Sequence, residues 1–187
     1  MYKKTINKRS QIYSYELVLA SAFIVVLFLM IAFTHYRYMN NVESNLRYDQ
    51  MTQDASRIAY VMLNSGGSGG SGNNPADWED SASIDDIHTF GLTTYPGEIK
   101  TEKISRLIAY LDNAQDRAKL KKKLGIASYQ LNIGITRYLN YNVASNRYID
   151  ITGESHGDTI TADTRAVVKR NAYYDGAPAM ISFTVGK

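Results

Sequence analysis

The chain has no cysteine, which excludes disulfides and thiolate metal sites but does not place it in a compartment. Glycine and proline are absent from residues 1–64, so nothing in that stretch breaks a helix. Acids are absent from residues 1–10, and charge of either sign is absent from residues 17–34. No N-x-S/T sequon occurs, so N-glycosylation gives no topological mark. The three histidines, His35, His88 and His156, are too far apart for ligand spacing. HExxH does not occur, and the one formal GxGxxG match lies inside the Gly/Ser-rich run 65–72. GxSxG occurs in that run and at Gly153-Glu154-Ser155-His156-Gly157, a segment that reads as a polar loop, so neither a cofactor nor an enzymatic activity is expected.

What is present begins with the uncharged run, LVLASAFIVVLFLMIAFT. Its eighteen residues rise about 27 Å as a helix, close to the roughly 30 Å hydrocarbon core of a bilayer. A secretory h-region is shorter, about 7–15 residues. Lys3, Lys4, Lys8 and Arg9 precede the run, whereas Arg37 and Arg47 beyond it are diluted by Glu43, Asp49 and Asp54. The positive-inside rule therefore predicts residues 1–10 in the cytoplasm and the C-terminal part outside. Tyr13, Tyr15, Tyr36 and Tyr38 flank the span as interfacial aromatics do.

The formal charge of +3 follows from that leader. The first ten residues carry +4, Glu16 removes one and Arg37 restores it, which leaves −1 for residues 38–187. The basic excess is thus an orientation signal, and no nucleic-acid partner is expected.

Glu16 stands at the threshold of the apolar run. Solvation at headgroup level and pairing with a cation on a neighbouring subunit both fit it. Ala20, Ser21 and Ala22 permit close approach of another helix there. Together, Lys8-Arg9-Ser10-Gln11, Ile12 to Leu17 and the apolar run resemble the class III (prepilin-type) signal of archaeal type IV pilin-like proteins. The resemblance implies a prepilin-type peptidase cutting between Ser10 and Gln11. It implies a retained helix that first anchors the subunit in lipid and later packs against like or related pilin subunits. It also implies that Glu16 takes the place of the assembly glutamate, which in that family pairs with a neighbour's new N-terminal amine. Two features depart from the pattern. Ser10 replaces the commoner Gly or Ala, and Glu16 falls sixth, not fifth, after that cut. Cleavage after Gln11 restores the fifth position but puts a poor residue at the cut, and an uncleaved anchor stays open.

The expected layout is a basic leader at 1–10, a long helix at 11–64 with its transmembrane part about 15–36, a Gly/Ser-rich linker at 65–76 and an extracytoplasmic α+β domain at 77–187. The helix of about 50 residues spans roughly 75–80 Å. Its outer half carries an amphipathic stripe of Val42, Leu46, Ala55, Ile58, Ala59 and Met62. SGGSGGSG, residues 65–72, is expected to stop the helix and to span about 15 Å as a flexible coil. It is no P-loop, because no G-K-[ST] follows.

Asp77, Glu79, Asp80, Asp85 and Asp86 lack EF-hand spacing and read as a solvated acidic loop. Trp78 is expected to plug a core edge. Thr101 is the expected cap of a helix with Ile104, Leu107, Ile108 and Leu111 on one face. A second helix is expected over 113–124, with Lys119, Lys121, Lys122 and Lys123 complementing its dipole and Gly125 at C′. Alternation over 128–136 predicts a half-buried strand, with further strands over 148–151, 159–173 and 179–185 and a turn at Asp175-Gly176. An antiparallel sheet of about four strands follows. Glu154-Ser155-His156-Gly157-Asp158 reads as a polar hairpin loop, since a triad is recognised by geometry and not by adjacency. Pro75-Ala76-Asp77-Trp78, Phe90-Gly91-Leu92 and Leu124-Gly125-Ile126 again resemble archaeal pilin-like and related membrane-anchored proteins. The expected function is a pilin-like or minor-pilin subunit of a cell-surface filament. The alternative is a non-polymerising, single-pass anchored binding module.

Overall fold

A computed structural model of the chain describes residues 8–69, 77–81, 83–95 and 97–187, without the side chains of 8–14 and 149. The part of the leader that holds Lys3 and Lys4, residues 70–76 with Pro75, and the side chains of Ser10 and Gln11 lie outside the described residues. The chain forms two units, Met1–Leu46 and Arg47–Lys187. The first is helical where it is described; the second is α+β. Helix α1, Lys8–Asn64, contributes to both.

In the second unit, α1 buries Met51, Ala55, Ile58, Ala59, Met62 and Leu63. Spacings of three and four place them on one face. This stripe starts later than the sequence predicts: Leu46 is exposed and Val42 only half-buried. The helix ends at Asn64, as its first glycines require. Its last carbonyls find partners at once. Ser65 Oγ donates to the Val61 carbonyl, and the Leu92 amide donates to Met62 O at 2.7 Å.

The glycine-rich stretch that follows is not a free coil over its described part. Gly67–Gly69 forms strand β1, antiparallel to β2, Ile87–Phe90. Glycine is needed for close approach here, not for flexibility. A Cβ on Gly91 would stand 2.2 Å from the Ser65 carbonyl oxygen. Trp78 closes this corner, fully buried, with its indole N–H donating to Gly91 O at 2.6 Å and its ring edge-on to Phe90.

Strands β3, Thr93–Tyr95, and β4, Glu98–Ile99, lead into helices α2, Thr101–Asp112, and α3, Ala114–Lys123. Lys100, not Thr101, occupies the N-cap of α2, without a side-chain cap bond; Thr101 is already helical. Asn113 caps α3, accepting from the amides of Gln115 and Asp116. Gly125 follows with φ 75°, the left-handed C′ geometry. Leu107, Ile104 and Leu111 are buried and Ile108 packs against them.

The remaining strands are β5, Gln130–Asn142, β6, Arg147–Gly157, β7, Arg165–Tyr174, and β8, Ala177–Gly186. The sheet has six strands rather than about four, in the order β3-β4-β7-β8-β5-β6. All its pairs are antiparallel except β4 with β7. Leu131, Ile133 and Ile135 of β5 alternate inward and face Val185, Phe183 and Ile181 of β8.

Residues 154–157 are not a hairpin loop; they complete edge strand β6, and the hairpin turn lies at 143–146. Residues 159–164, expected as strand, are irregular. They carry the chain from β6 past β5 and β8 to β7, so they cannot also pair as a ladder. Gly157 starts this crossing at φ 114°, where a Cβ would meet Leu131 O at 2.4 Å.

Candidate functional site

Helix α1 carries two kinds of surface. Between residues 17 and 33, thirteen large apolar side chains are 45–73% exposed, from Leu27 to Leu17. Removing each from water is worth roughly 1.5–3 kcal/mol. Monomeric soluble proteins do not leave so long an apolar surface uncovered. By length and composition, α1 is a candidate membrane span and the only one among the described residues.

Its few polar groups suit that reading. Ser21 Oγ donates to Val18 O at 2.9 Å, and Thr34 Oγ1 lies 2.8 and 2.9 Å from the carbonyls of Met30 and Ile31. These hydroxyls are satisfied within the helix, as a hydrocarbon environment requires. Arg37 lies over the Phe33 ring, 5.1 Å from its centroid, where the charge-free run ends.

Glu16 is exposed on this helix and makes no ion pair among the described residues. The backbone of Ser10 and Gln11 is helical, so both belong to α1. Ala20, Ser21 and Ala22 are exposed one turn beyond Glu16.

The second unit holds charged groups that sequence reasoning placed in solvent. Glu79, expected in a solvated acidic loop, is buried. Its Oε1 accepts from Lys100 Nζ at 2.5 Å, and its Oε2 lies 3.9 Å from Lys103 Nζ. Lys103 is itself buried and donates to Gly66 O at 2.5 Å. Burial pushes the Lys103 ammonium below the ordinary lysine value, against the pull of Glu79. The signal for it was its place on the α2 stripe, four residues before Leu107.

The lysines of α3 do more than complement a dipole. Lys119 pairs with Asp85 at 2.6 Å, Lys121 with Asp158 at 2.9 Å, and Lys123 donates to the carbonyls of Asp85 and Ile87. They staple α3 to the preceding loop and to the end of β6.

Ser155 and His156 are neighbours in sequence but face opposite sides of β6. Ser155 Oγ donates to Asn132 Oδ1 at 2.7 Å. His156 Nδ1 lies 3.2 Å from both Asp112 oxygens, and its Nε2 lies 3.6 Å from Glu154 Oε2. Period-two alternation separates the hydroxyl from the imidazole, so the two do not form a nucleophile–base pair. Histidine and carboxylates do gather here, but among the described residues no group of three such side chains has metal-binding geometry.

No family model matches the chain, and neither a curated protein nor a solved structure does. The arrangement therefore has to be read from its own residues.

Proposed function

We propose that the chain is a pilin-like or minor-pilin subunit of a cell-surface filament, held in the membrane by residues 17–34 before assembly. The observation that carries this reading is the division within α1. Met51, Ala55, Ile58, Ala59, Met62 and Leu63 are covered by the subunit's own domain, whereas the large apolar side chains of 17–33 are bare. Their cover must come from outside the chain: lipid first, then like helices. The basic leader sets the N-terminus in the cytoplasm and the α+β domain outside. Glu16, exposed beside Ala20, Ser21 and Ala22, then meets a cation of a neighbouring subunit.

The alternative is a single-pass anchored module that binds a partner and never polymerises. The Ser10 and Glu16 departures from the prepilin pattern favour it. Mass spectrometry of the mature N-terminus separates the two. A chain starting at Gln11 supports the filament subunit. An intact Met1 in a host with an active prepilin peptidase would sink it.

A further inference from the structure

On the sheet face away from the hydrophobic core lies an open cleft of about 430 Å³. Ligand clefts run from about 300 to 1,000 Å³ and are mostly apolar; this one is mostly polar. Its floor is Asn132 of β5 and Thr184 of β8, which stand opposite each other in the ladder. Ser155 of β6, Thr159 of the crossing segment and Arg165 at the start of β7 line its sides.

The polar groups fall into two sets. Asn132 is held in place: its Oδ1 accepts from Ser155 and its Nδ2 donates to Asp158 O at 3.2 Å. The Arg165 guanidinium and the hydroxyls of Thr159 and Thr184, in contrast, make no side-chain hydrogen bond among the described residues. They are donors and acceptors without a partner, around a preset amide.

The charge also has a sign. Asp158 borders the cleft, but its carboxylate is taken by Arg117 at 3.0 Å, Lys121 at 2.9 Å and the Leu131 amide at 3.0 Å. Arg117 and Lys121 thus answer the Asp158 charge, and Arg165 is the cation that lines the cleft. An anion entering there meets the Arg165 guanidinium. A guanidinium fork matches a carboxylate in two parallel hydrogen bonds.

We propose that this cleft binds an acidic sugar: a saccharide whose carboxylate pairs with Arg165 and whose hydroxyls bond Asn132, Ser155, Thr159 and Thr184. A simple oxyanion would satisfy Arg165 but leave the dispersed hydroxyls unused. A nucleic-acid strand would need stacking rings, and among the described residues no aromatic side chain lines the cleft. The site belongs to the second unit alone and holds whether or not the chain polymerises.

The test is calorimetric titration of the full chain in detergent micelles with trigalacturonate, maltotriose and inorganic phosphate. Saturable binding of trigalacturonate at one site per chain is expected, with maltotriose and phosphate binding far more weakly. Arg165→Gln should weaken trigalacturonate roughly tenfold, the loss of a charge-assisted hydrogen-bonded pair. Thr159→Glu, on the exposed crossing segment, should weaken it by a similar factor through like charge. Circular dichroism checks that both variants keep the fold. Absence of saturation overturns the proposal. So does equal affinity for maltotriose, which would remove the role of charge, or for phosphate, which would reduce the site to a bare anion site. Unchanged affinity in a folded Arg165→Gln or Thr159→Glu variant overturns it as well.

Discussion

Lys103 Nζ and Glu79 Oε2 stand 3.9 Å apart inside the α+β domain, each almost wholly out of solvent. Neither is left to the other alone. Glu79 also holds Lys100, and Lys103 also holds the Gly66 carbonyl. One carboxylate thereby ties the short 3-10 turn at Trp78–Asp80 to α2, and one ammonium ties α2 to the chain leaving α1.

Removing either partner should not cost the same. Glu79→Ala leaves the buried Lys103 charge without its carboxylate and should destabilise the domain by about 3–5 kcal/mol. Lys103→Met removes the buried charge while Glu79 keeps Lys100, so its cost should be well below that of Glu79→Ala. Urea unfolding of the full chain in micelles, followed by the fluorescence of Trp78, measures both. Equal losses would show that the pair does not work as described.

Asp158 gives the domain an acid limit. Burial alone would raise its carboxyl, but the Leu131 amide, Lys121 and Arg117 together hold it below the ordinary aspartate value. A group with a depressed folded value contributes stability that is complete above the unfolded value, about 3.9. That contribution is lost as pH falls through the lower, folded value. Melting temperature should therefore decline below about pH 4. Asp158→Asn should be less stable at neutral pH and should lose much of that decline. A variant with the wild-type acid slope would rule Asp158 out as its source.

Gly91 and Gly153 should respond oppositely to alanine. At Gly91 the new methyl would lie 2.2 Å from the Ser65 oxygen, with backbone on both sides. The expected cost is about 1–3 kcal/mol, as for an overpacked core. At Gly153 the nearest atom is Thr136 Oγ1 at 3.8 Å, ordinary contact. Gly153→Ala should be neutral, or more stable by about 0.4–1 kcal/mol through the unfolded chain. Thermal melts of the two variants decide this.

The span and the assembly role can be separated. Leu27→Arg puts a charge near the middle of the apolar run, at a cost of about 2.5–3.5 kcal/mol for insertion. It should lower the carbonate-resistant membrane fraction. Glu16→Ala should leave that fraction unchanged and reduce filament yield. An unchanged yield would reject the role proposed for Glu16.

Part of this architecture was legible in the residues. The end of α1 at Asn64, the inward alternation of Leu131, Ile133 and Ile135, the Asp175-Gly176 turn and the burial of Trp78 all follow from local chemistry. The polar run 154–158 misled, because an edge strand with one solvated face can be as hydrophilic as a loop. The described glycines of the Gly/Ser-rich run misled as well. Gly67 and Gly69 have positive φ and lie against the backbone of 86–91, a demand for small residues that composition alone reads as flexibility.

The sequence by itself determined the apolar run at 17–34, the unbroken helix through Asn64 and the periodicity of the later strands. These depend on a residue and its near neighbours, and hydrophobic spacing reports them directly. Only the tertiary structure decided which charges are buried, which strand lies at the edge and that Arg165, Asn132 and Thr184 line one cleft. Lys103 and Gly66 are 37 residues apart, as are Lys121 and Asp158. Contacts across such separations are set by how the elements pack, and no local pattern encodes them.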